Sequence, residues 1–147
     1  MKDLTFTIDI AAPVARVWEC MLDPLTYRDW TRAFCEGSYY EGNWAQGSRM
    51  RFLDPDGNGM EAVVEENRTH ERVALKLVGD LTEGRPTPGS TMGDRPAHEI
   101  YEFSAAGPAR TQLVILLKGW DDGFADMMAG MWPTALQRLK TLAESTL

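Results

Sequence analysis

The first part of the chain changes from an alternating pattern of apolar residues to a helical one. Every second residue from Leu4 to Ile10 is apolar, and this period of two predicts a half-buried strand over residues 4–10. After Pro13, which suits the first turn of a helix, apolar residues recur with helical spacing and predict an amphipathic helix that ends near Leu22. The apolar positions of this helix are Val14, Val17, Trp18 and Met21.

A second short helix is predicted directly after the first. Asp23 followed by Pro24 is a helix-start signal, because an acidic N-cap accepts a backbone hydrogen bond and proline fits the first helical position. We expect this helix to run to about Thr31, with Leu25 and Trp30 as its apolar anchors.

Beyond residue 36 the apolar period returns to two and predicts further strands. The segment Asp54-Pro55-Asp56-Gly57-Asn58-Gly59 is a dense turn signal, so a hairpin is expected there. In the strand before this turn, Met50 and Phe52 lie on one face, and Arg49 and Arg51 lie on the other. The expected strands are residues 37–42, 48–53, 60–65, 73–77, 97–104 and 110–118.

Residues 79–96 interrupt this rhythm with a long polar stretch rich in glycine and proline. A loop of this length is uncommon inside a compact domain. Two interpretations stay open from the sequence: a mobile insertion without a function, or a lid over the mouth of a cavity.

The C-terminal segment has the spacing of one long helix. Asp121 or Asp122 is expected to cap it, since negative charge is favourable at a helix N-terminus. Pro133 predicts a kink next to Gly130, because proline removes one hydrogen bond and crowds the carbonyl group of Ala129. The apolar positions are Phe124, Met127, Met128, Met131, Trp132, Ala135, Leu136, Leu139 and Leu142.

These elements together predict one α+β domain over residues 1–147. Consecutive antiparallel strands with helices on one face are typical of this class. A sheet of about six to seven strands is expected to curl, and the last helix is the only predicted element long enough to fill it. We therefore expect a helix-grip fold: a curved antiparallel sheet, two short helices after strand 1, and a long C-terminal helix.

A series of short motifs extends along nearly the whole chain. They are Ile10-Ala11-Ala12-Pro13-Val14-Ala15-Arg16-Val17-Trp18, then Trp30, Gly47, Tyr101-Glu102-Phe103, Gly107, Thr111-Gln112-Leu113, and Trp132 with Leu136, Leu139 and Lys140. In this order and spacing, the chain resembles the START-like (SRPBCC) superfamily. Within it, the chain is similar to the group named after the C-terminal domain of the activator of the 90-kDa heat-shock protein ATPase, and to polyketide cyclases.

The resemblance implies a START-like fold with a hydrophobic cavity between the sheet and the long helix. Related groups include lipid and hormone carriers, polyketide cyclases and aromatases, and the co-chaperone domain that gave the group its name. The resemblance does not specify an activity, because one fold serves many functions. The 79–96 segment is longer than the usual link of this family.

Composition narrows the range of partners. The 147 residues carry a formal net charge of -7 at pH 7, which argues against a nucleic-acid or anionic-membrane partner. No run of 18 apolar residues is present, so no membrane span is expected. Cys20 and Cys35 are interpreted as free thiols in a reducing compartment. The alternating N-terminus predicts a strand and not a signal peptide, and a cytoplasmic location is expected.

The candidate catalytic residues lie on one predicted strand. Glu99 and Tyr101 share a face with Phe103, and in a dry cavity either would polarise a ketone or shuttle a proton. The alternative places Glu99 at a strand end in water and makes Tyr101 a core aromatic with a wet hydroxyl. His70 and His98 lie far apart without metal-like neighbours, so no metal site is expected, and no cofactor is implied.

The leading functional hypothesis is the binding of a small hydrophobic or aromatic ligand between the sheet and the last helix. The alternatives are a cyclase- or dehydratase-type enzyme that uses Tyr101 or Glu99, and a co-chaperone-like domain with a protein partner and a filled cavity. A monomer or weak homodimer is expected. The expected cavity-lining residues are Trp30, Met50, Phe52, Met60, Leu75, Tyr101, Phe103, Met128, Met131 and Trp132.

Overall fold

An antiparallel sheet and a long C-terminal helix make up residues 1–95 and 97–145, the part of the chain that the computed structural model describes. Two α-helices and one 3-10 helix connect the first two strands. The elements in chain order are β1 (Lys2–Ile10), α1 (Val14–Leu22), α2 (Pro24–Trp30), the 3-10 helix (Thr31–Ala33), β2 (Tyr39–Glu41), β3 (Arg49–Leu53), β4 (Gly59–Arg68), β5 (Arg72–Thr82), β6 (Arg85–Pro86), β7 (Ala97–Gly107), β8 (Arg110–Trp120) and α3 (Asp122–Glu144).

The sheet is ordered β1-β8-β7-β5-β4-β3-β2, and the short β6 pairs with β5 outside this path. All of these pairings are antiparallel. The sheet curves around α3, so the expected α+β helix-grip fold is confirmed. The strand count exceeds the expected six to seven by one, because β6 forms inside the segment that the sequence predicted as a loop.

Capping residues begin both α2 and α3 where the sequence predicts. Asp23 accepts a hydrogen bond of 2.9 Å from the backbone N–H of Leu25, and Asp121 accepts one of 3.3 Å from that of Phe124. The expected role of Leu25 as an apolar anchor is wrong, because this side chain is 80% exposed in the first turn of α2. Tyr27, three residues before Trp30 and on the same helical face, is buried in its place.

The segment 79–96 is partly ordered as a hairpin. β5 continues to Thr82 and returns through β6, and the hydroxyl of Ser90 then donates a hydrogen bond of 2.6 Å to Asp80. At Gly93, where φ is +96°, a Cβ atom would lie 2.5 Å from the carbonyl oxygen of Val78. The segment thus packs back against the end of β5, and its last residue, Pro96, lies outside the described residues.

α3 lies across the concave side of the sheet and continues without a break through Pro133, which is exposed. The kink next to Gly130 stays a prediction. Arg138 joins α3 to α2, because its guanidinium group donates to the carbonyl and the carboxylate of Asp29 at 2.9 and 3.0 Å. This contact ties the second half of α3 to α2.

The two cysteines and the two histidines lie in different environments. Cys20 is buried and Cys35 is exposed, and both are free thiols, as expected. His70 is exposed, whereas His98 contacts Glu65 at 2.9 Å. Within residues 1–95 and 97–145, no group of three or more metal-ligating side chains occurs, and no helix is long and apolar enough to cross a membrane.

Candidate ligand-binding cleft

A cleft of about 450 Å³ lies between the sheet, α2 and the first half of α3. This volume falls in the range of small-molecule sites in proteins. Cys35, Asn58 and Met127 are exposed and form part of its mouth, whereas Glu99 and Tyr101 are buried in its floor. The cleft therefore leads from solvent to a buried floor.

Seven of the expected lining residues border this cleft, and three do not. Met50, Leu75 and Phe103 belong instead to the packed core, where Phe103 lies 5.1 Å from Trp18 of α1 between ring centroids. Strand alternation predicted the correct face of the sheet for these residues, but it does not indicate which part of that face a helix covers. The seven that border the cleft are Trp30, Phe52, Met60, Tyr101, Met128, Met131 and Trp132. Their contact with a ligand stays a prediction.

The sequence interpretation omitted several residues of the wall around α2. Tyr27, Thr31 and Phe34 all border the cleft, and they stand at positions -3, +1 and +4 relative to Trp30. Helical spacing around Trp30 would have identified Tyr27 and Phe34, and Thr31 stands four residues after Tyr27. Ser38 and Asp54 also border the cleft, but they come from irregular segments and carry no periodic signal.

An aromatic cluster centred on Trp132 forms one wall. The ring centroid of Trp132 lies 5.1 Å from Phe34, 5.9 Å from Trp30 and 6.3 Å from Tyr101. The indole N–H of Trp30 donates a hydrogen bond of 3.1 Å to the carbonyl of Met21, which fixes that ring. The indole N–H of Trp132 is buried and has no acceptor among the described residues. This wall therefore combines a large apolar surface with one unpaired donor.

The floor of the cleft holds a hydrogen-bonded carboxyl–phenol pair. Tyr101 donates from its hydroxyl to Oε2 of Glu99 at 2.5 Å, and the exposed fractions of the two residues are 2% and 9%. Burial raises the pKa of Glu99 to about 7, and the hydrogen bond from Tyr101 opposes this shift. Burial also raises the pKa of Tyr101, and the nearby charge of Glu99 adds to that effect.

The surroundings of Glu99 are apolar or phenolic. Its neighbours on the adjacent strands are Leu75 and Leu117, and Tyr27 faces it from α2. No lysine, arginine or histidine borders the cleft among the described residues. Glu99 therefore lies in the interior and not at a strand end in water, and it has no cationic partner there.

The segment 79–96 does not cover this cleft. None of its described residues borders the cleft; several of them border a separate depression of about 620 Å³ beside Trp120 and Phe124. Phe124 borders both spaces, and its ring stacks on that of Trp120 with the centroids 5.0 Å apart. The interpretation of this segment as a lid over the mouth gains no support from its position.

A family model described as activator of Hsp90 ATPase homolog 1-like protein matches residues 11–144. No curated protein sequence is significantly similar to the chain.

Solved structures share the fold at low sequence identity. Protein CV1439 from Chromobacterium violaceum is 19% identical, with a TM-score of 0.72 over 99% of this chain and 100% of that one. An Aha1 dimer from Colwellia psychrerythraea is 17% identical, with a TM-score of 0.75 over 98% and 97% of the two chains. CalU16 from Micromonospora echinospora is 18% identical, with a TM-score of 0.69 over 97% of this chain and 74% of that one.

Proposed function

The chain belongs to the family of activator of Hsp90 ATPase homolog 1-like proteins, and on this premise we propose that it binds a small hydrophobic or aromatic molecule in the cleft. The observation that carries the proposal is the cleft itself: about 450 Å³ of space between α2, the sheet and α3, walled by aromatic and methionine side chains. A binding site for a small apolar molecule is typically concave and apolar with a few polar groups, and this cleft has that character.

The methionines of α3 support a binding role. Met127, Met128 and Met131 border the cleft on one side of the helix, and Met60 borders it from the sheet. Unbranched methionine side chains adjust to irregular shapes, which suits a wall that must accommodate a ligand. A co-chaperone-like domain that acts only through a protein surface would need no such cleft, so the cleft argues for a small molecule.

The test uses the neutral dye N-phenyl-1-naphthylamine, whose fluorescence rises in apolar surroundings. We expect saturable binding with one dye per chain. Met131→Trp, which fills the cleft, should weaken it at least about tenfold, because a pre-formed space is lost. Leu25→Trp is the matched control, since Leu25 is 80% exposed and does not border the cleft. Equal binding by both variants would place the dye elsewhere and contradict the proposal.

A second candidate function is an enzyme of the cyclase or dehydratase type, and the buried Glu99–Tyr101 pair favours it. A carboxyl group whose pKa is about 7 is suited to general acid–base chemistry at neutral pH. In an aldol-type ring closure, the Glu99 carboxylate would take a proton from a carbon next to a ketone. The resulting carbanion would form a carbon–carbon bond to a second ketone, and the new alkoxide would take the proton back.

This candidate predicts turnover of a polyketide-like diketone. Tyr101→Phe should lower the rate at least about tenfold, and Glu99→Gln should lower it further, because the base itself is lost. Full turnover in Glu99→Gln would exclude this mechanism.

A further inference from the structure

The cleft contains a buried acid that lacks a positive partner. Glu99 is 9% exposed, and its only hydrogen bond among the described residues comes from Tyr101. A buried carboxylate without a cation is costly, because its attraction to water is lost without compensation. Groups of this kind are rare in proteins unless they are paired, and in the described part of this cleft no protein side chain supplies the pair.

The walls around this acid are aromatic. Seven aromatic side chains border the cleft, and three of them, Tyr27, Trp30 and Trp132, form a continuous series with centroid separations of 5.3 and 5.9 Å. Aromatic faces carry partial negative charge and attract cations that lie within about 6 Å of the ring. Aromatic walls together with a carboxylate are the arrangement by which proteins recognise organic ammonium groups.

The mouth of the cleft has the same sign of charge. Asp54 borders the cleft in the turn between β3 and β4, and the chain carries a net charge of -7. A negative potential at an entrance raises the local concentration of cations and lowers that of anions.

We infer that the cleft binds small aromatic or alicyclic molecules that carry a protonated amine or a quaternary ammonium group, with Glu99 as the counter-ion. This inference rests on the proposed binding function and specifies the charge of the ligand. The hydroxyl of Tyr101 already donates a hydrogen bond to Glu99, which orients the carboxyl group as an acceptor. A cation on the ligand is therefore the group that would supply the charged partner that the Glu99 carboxylate lacks.

A neutral ligand with a carbonyl group is the competing occupant. Its carbonyl oxygen would accept a hydrogen bond from the unpaired N–H of Trp132. It would also need Glu99 in its protonated form as a second donor. The two occupants differ in the sign of their pH dependence. A cation binds more tightly as Glu99 ionises, and a carbonyl binds less tightly.

The titratable groups that face Glu99 directly are two phenols. Tyr101 on its own strand and Tyr27 on α2 both have a pKa raised by burial, so both phenols stay neutral over the relevant range. The adjacent strands contribute Leu75 and Leu117. Asp54 and Cys35 lie at the mouth, and the part of α3 that borders the cleft contributes only apolar and aromatic side chains.

The experiment compares three naphthalene probes of similar shape by calorimetric titration at about pH 8: the 1-naphthylmethylammonium cation, neutral 1-naphthylmethanol and the 1-naphthoate anion. We expect the cation to bind at least about tenfold more tightly than the alcohol, since hydrogen bonds to charged groups are the stronger ones. The affinity of the cation should rise up to about tenfold per pH unit below about pH 7 and then level off. The alcohol should show no such rise.

Two variants separate the role of Glu99 from general charge. Glu99→Gln keeps the shape and should bring the cation to within about threefold of the alcohol, because the charge-assisted contact is lost. Glu102→Gln is the control, since Glu102 lies on the same strand but pairs with Arg72 on the outer face. It should keep the full preference of the wild-type chain.

Each outcome bears on a different claim. Equal affinity for cation and alcohol, tighter binding of naphthoate, or a cation affinity that falls with rising pH would overturn the inference and leave cleft binding intact. Failure of all three probes and of the neutral dye to bind would overturn the proposed function as well. If Glu99→Gln does not fold, the probe preference and the pH profile of the wild-type chain decide the matter.

Discussion

Tyr101 donates a hydrogen bond of 2.5 Å to Glu99 two residues earlier on β7, and both side chains lie on the floor of a cleft in contact with solvent. Residues i and i+2 of a strand point to the same side of the sheet, so local geometry brings them together. The cleft then determines their chemistry, because the pair is buried and no cationic side chain among the described residues borders the cleft.

Glu99→Gln should stabilise the protein at high pH. Burial raises the pKa of Glu99 from 4.5 to about 7, so the folded chain binds more protons than the unfolded chain between these values. The wild-type chain therefore loses stability as pH rises from about 4.5 to about 7, in total on the order of 3 kcal/mol. The Glu99→Gln variant does not undergo this loss of stability, because glutamine does not ionise. Urea unfolding should show similar stabilities near pH 4.5 and a more stable variant near pH 8.

The control for this measurement is Glu102→Gln, on the opposite face of β7. Its stability relative to the wild-type chain should not increase from the lower to the higher pH, because the substitution removes a contact with Arg72. A Glu99→Gln effect that is equally large at both pH values would show that ionisation of Glu99 carries no cost.

Trp132→Ala should destabilise the fold by about 3–5 kcal/mol, the usual cost of removing a large buried aromatic. Trp132 is 2% exposed and contacts Phe6, Trp30 and Phe34 as well as the cleft. Chemical unfolding of the variant measures the effect. A loss under about 1 kcal/mol would mean that the cluster rearranges to fill the space.

Cys35 should be the thiol that reports on the cleft. It is exposed at the mouth, whereas Cys20 is 2% exposed in the core and its pKa is raised by burial. We expect an aromatic disulfide reagent to modify one thiol rapidly in the native protein, and the Cys35→Ser variant to lack that phase. Saturating N-phenyl-1-naphthylamine should slow the reaction. An unchanged rate would show that the dye does not occupy the mouth.

Pro133→Ala should increase stability by about 1–3 kcal/mol, because alanine restores a backbone donor in the middle of α3 and has a high helix propensity. Pro133 is exposed, so no buried contact is lost. Thr134→Ala, at the next exposed position, is the control for a general gain in helix propensity. Thermal unfolding of the three chains gives the comparison, and a gain no larger than that of the control would contradict the expectation.

Periodicity located most of the elements, because the signals that define them are local. The alternation in β1 and the helical spacing in α1 each need only neighbouring residues. The start of α2 was equally clear, since Asp23 and Pro24 act on the backbone next to them. The error at Leu25 has the same origin: apolar character alone does not show which side of a short helix meets the core.

The cleft was only partly predictable. Sequence alternation placed Glu99 and Tyr101 on one face but left open whether that face was wet or dry. Phe103 lies on the same face of β7, yet it packs against Trp18 and not against the cleft. The difference between these neighbours arises from α1, α2 and α3, which cover different lengths of the strand.

The sequence by itself determined the α+β helix-grip fold, since hydrophobic period, caps and turns are properties of adjacent residues and agree along the chain. Only the tertiary structure decided that a space of about 450 Å³ remains between the helices and the sheet. It also decided that Glu99 lies within that space and without a cation. Burial and pairing depend on residues distant in the chain, and no local pattern encodes the distance between them.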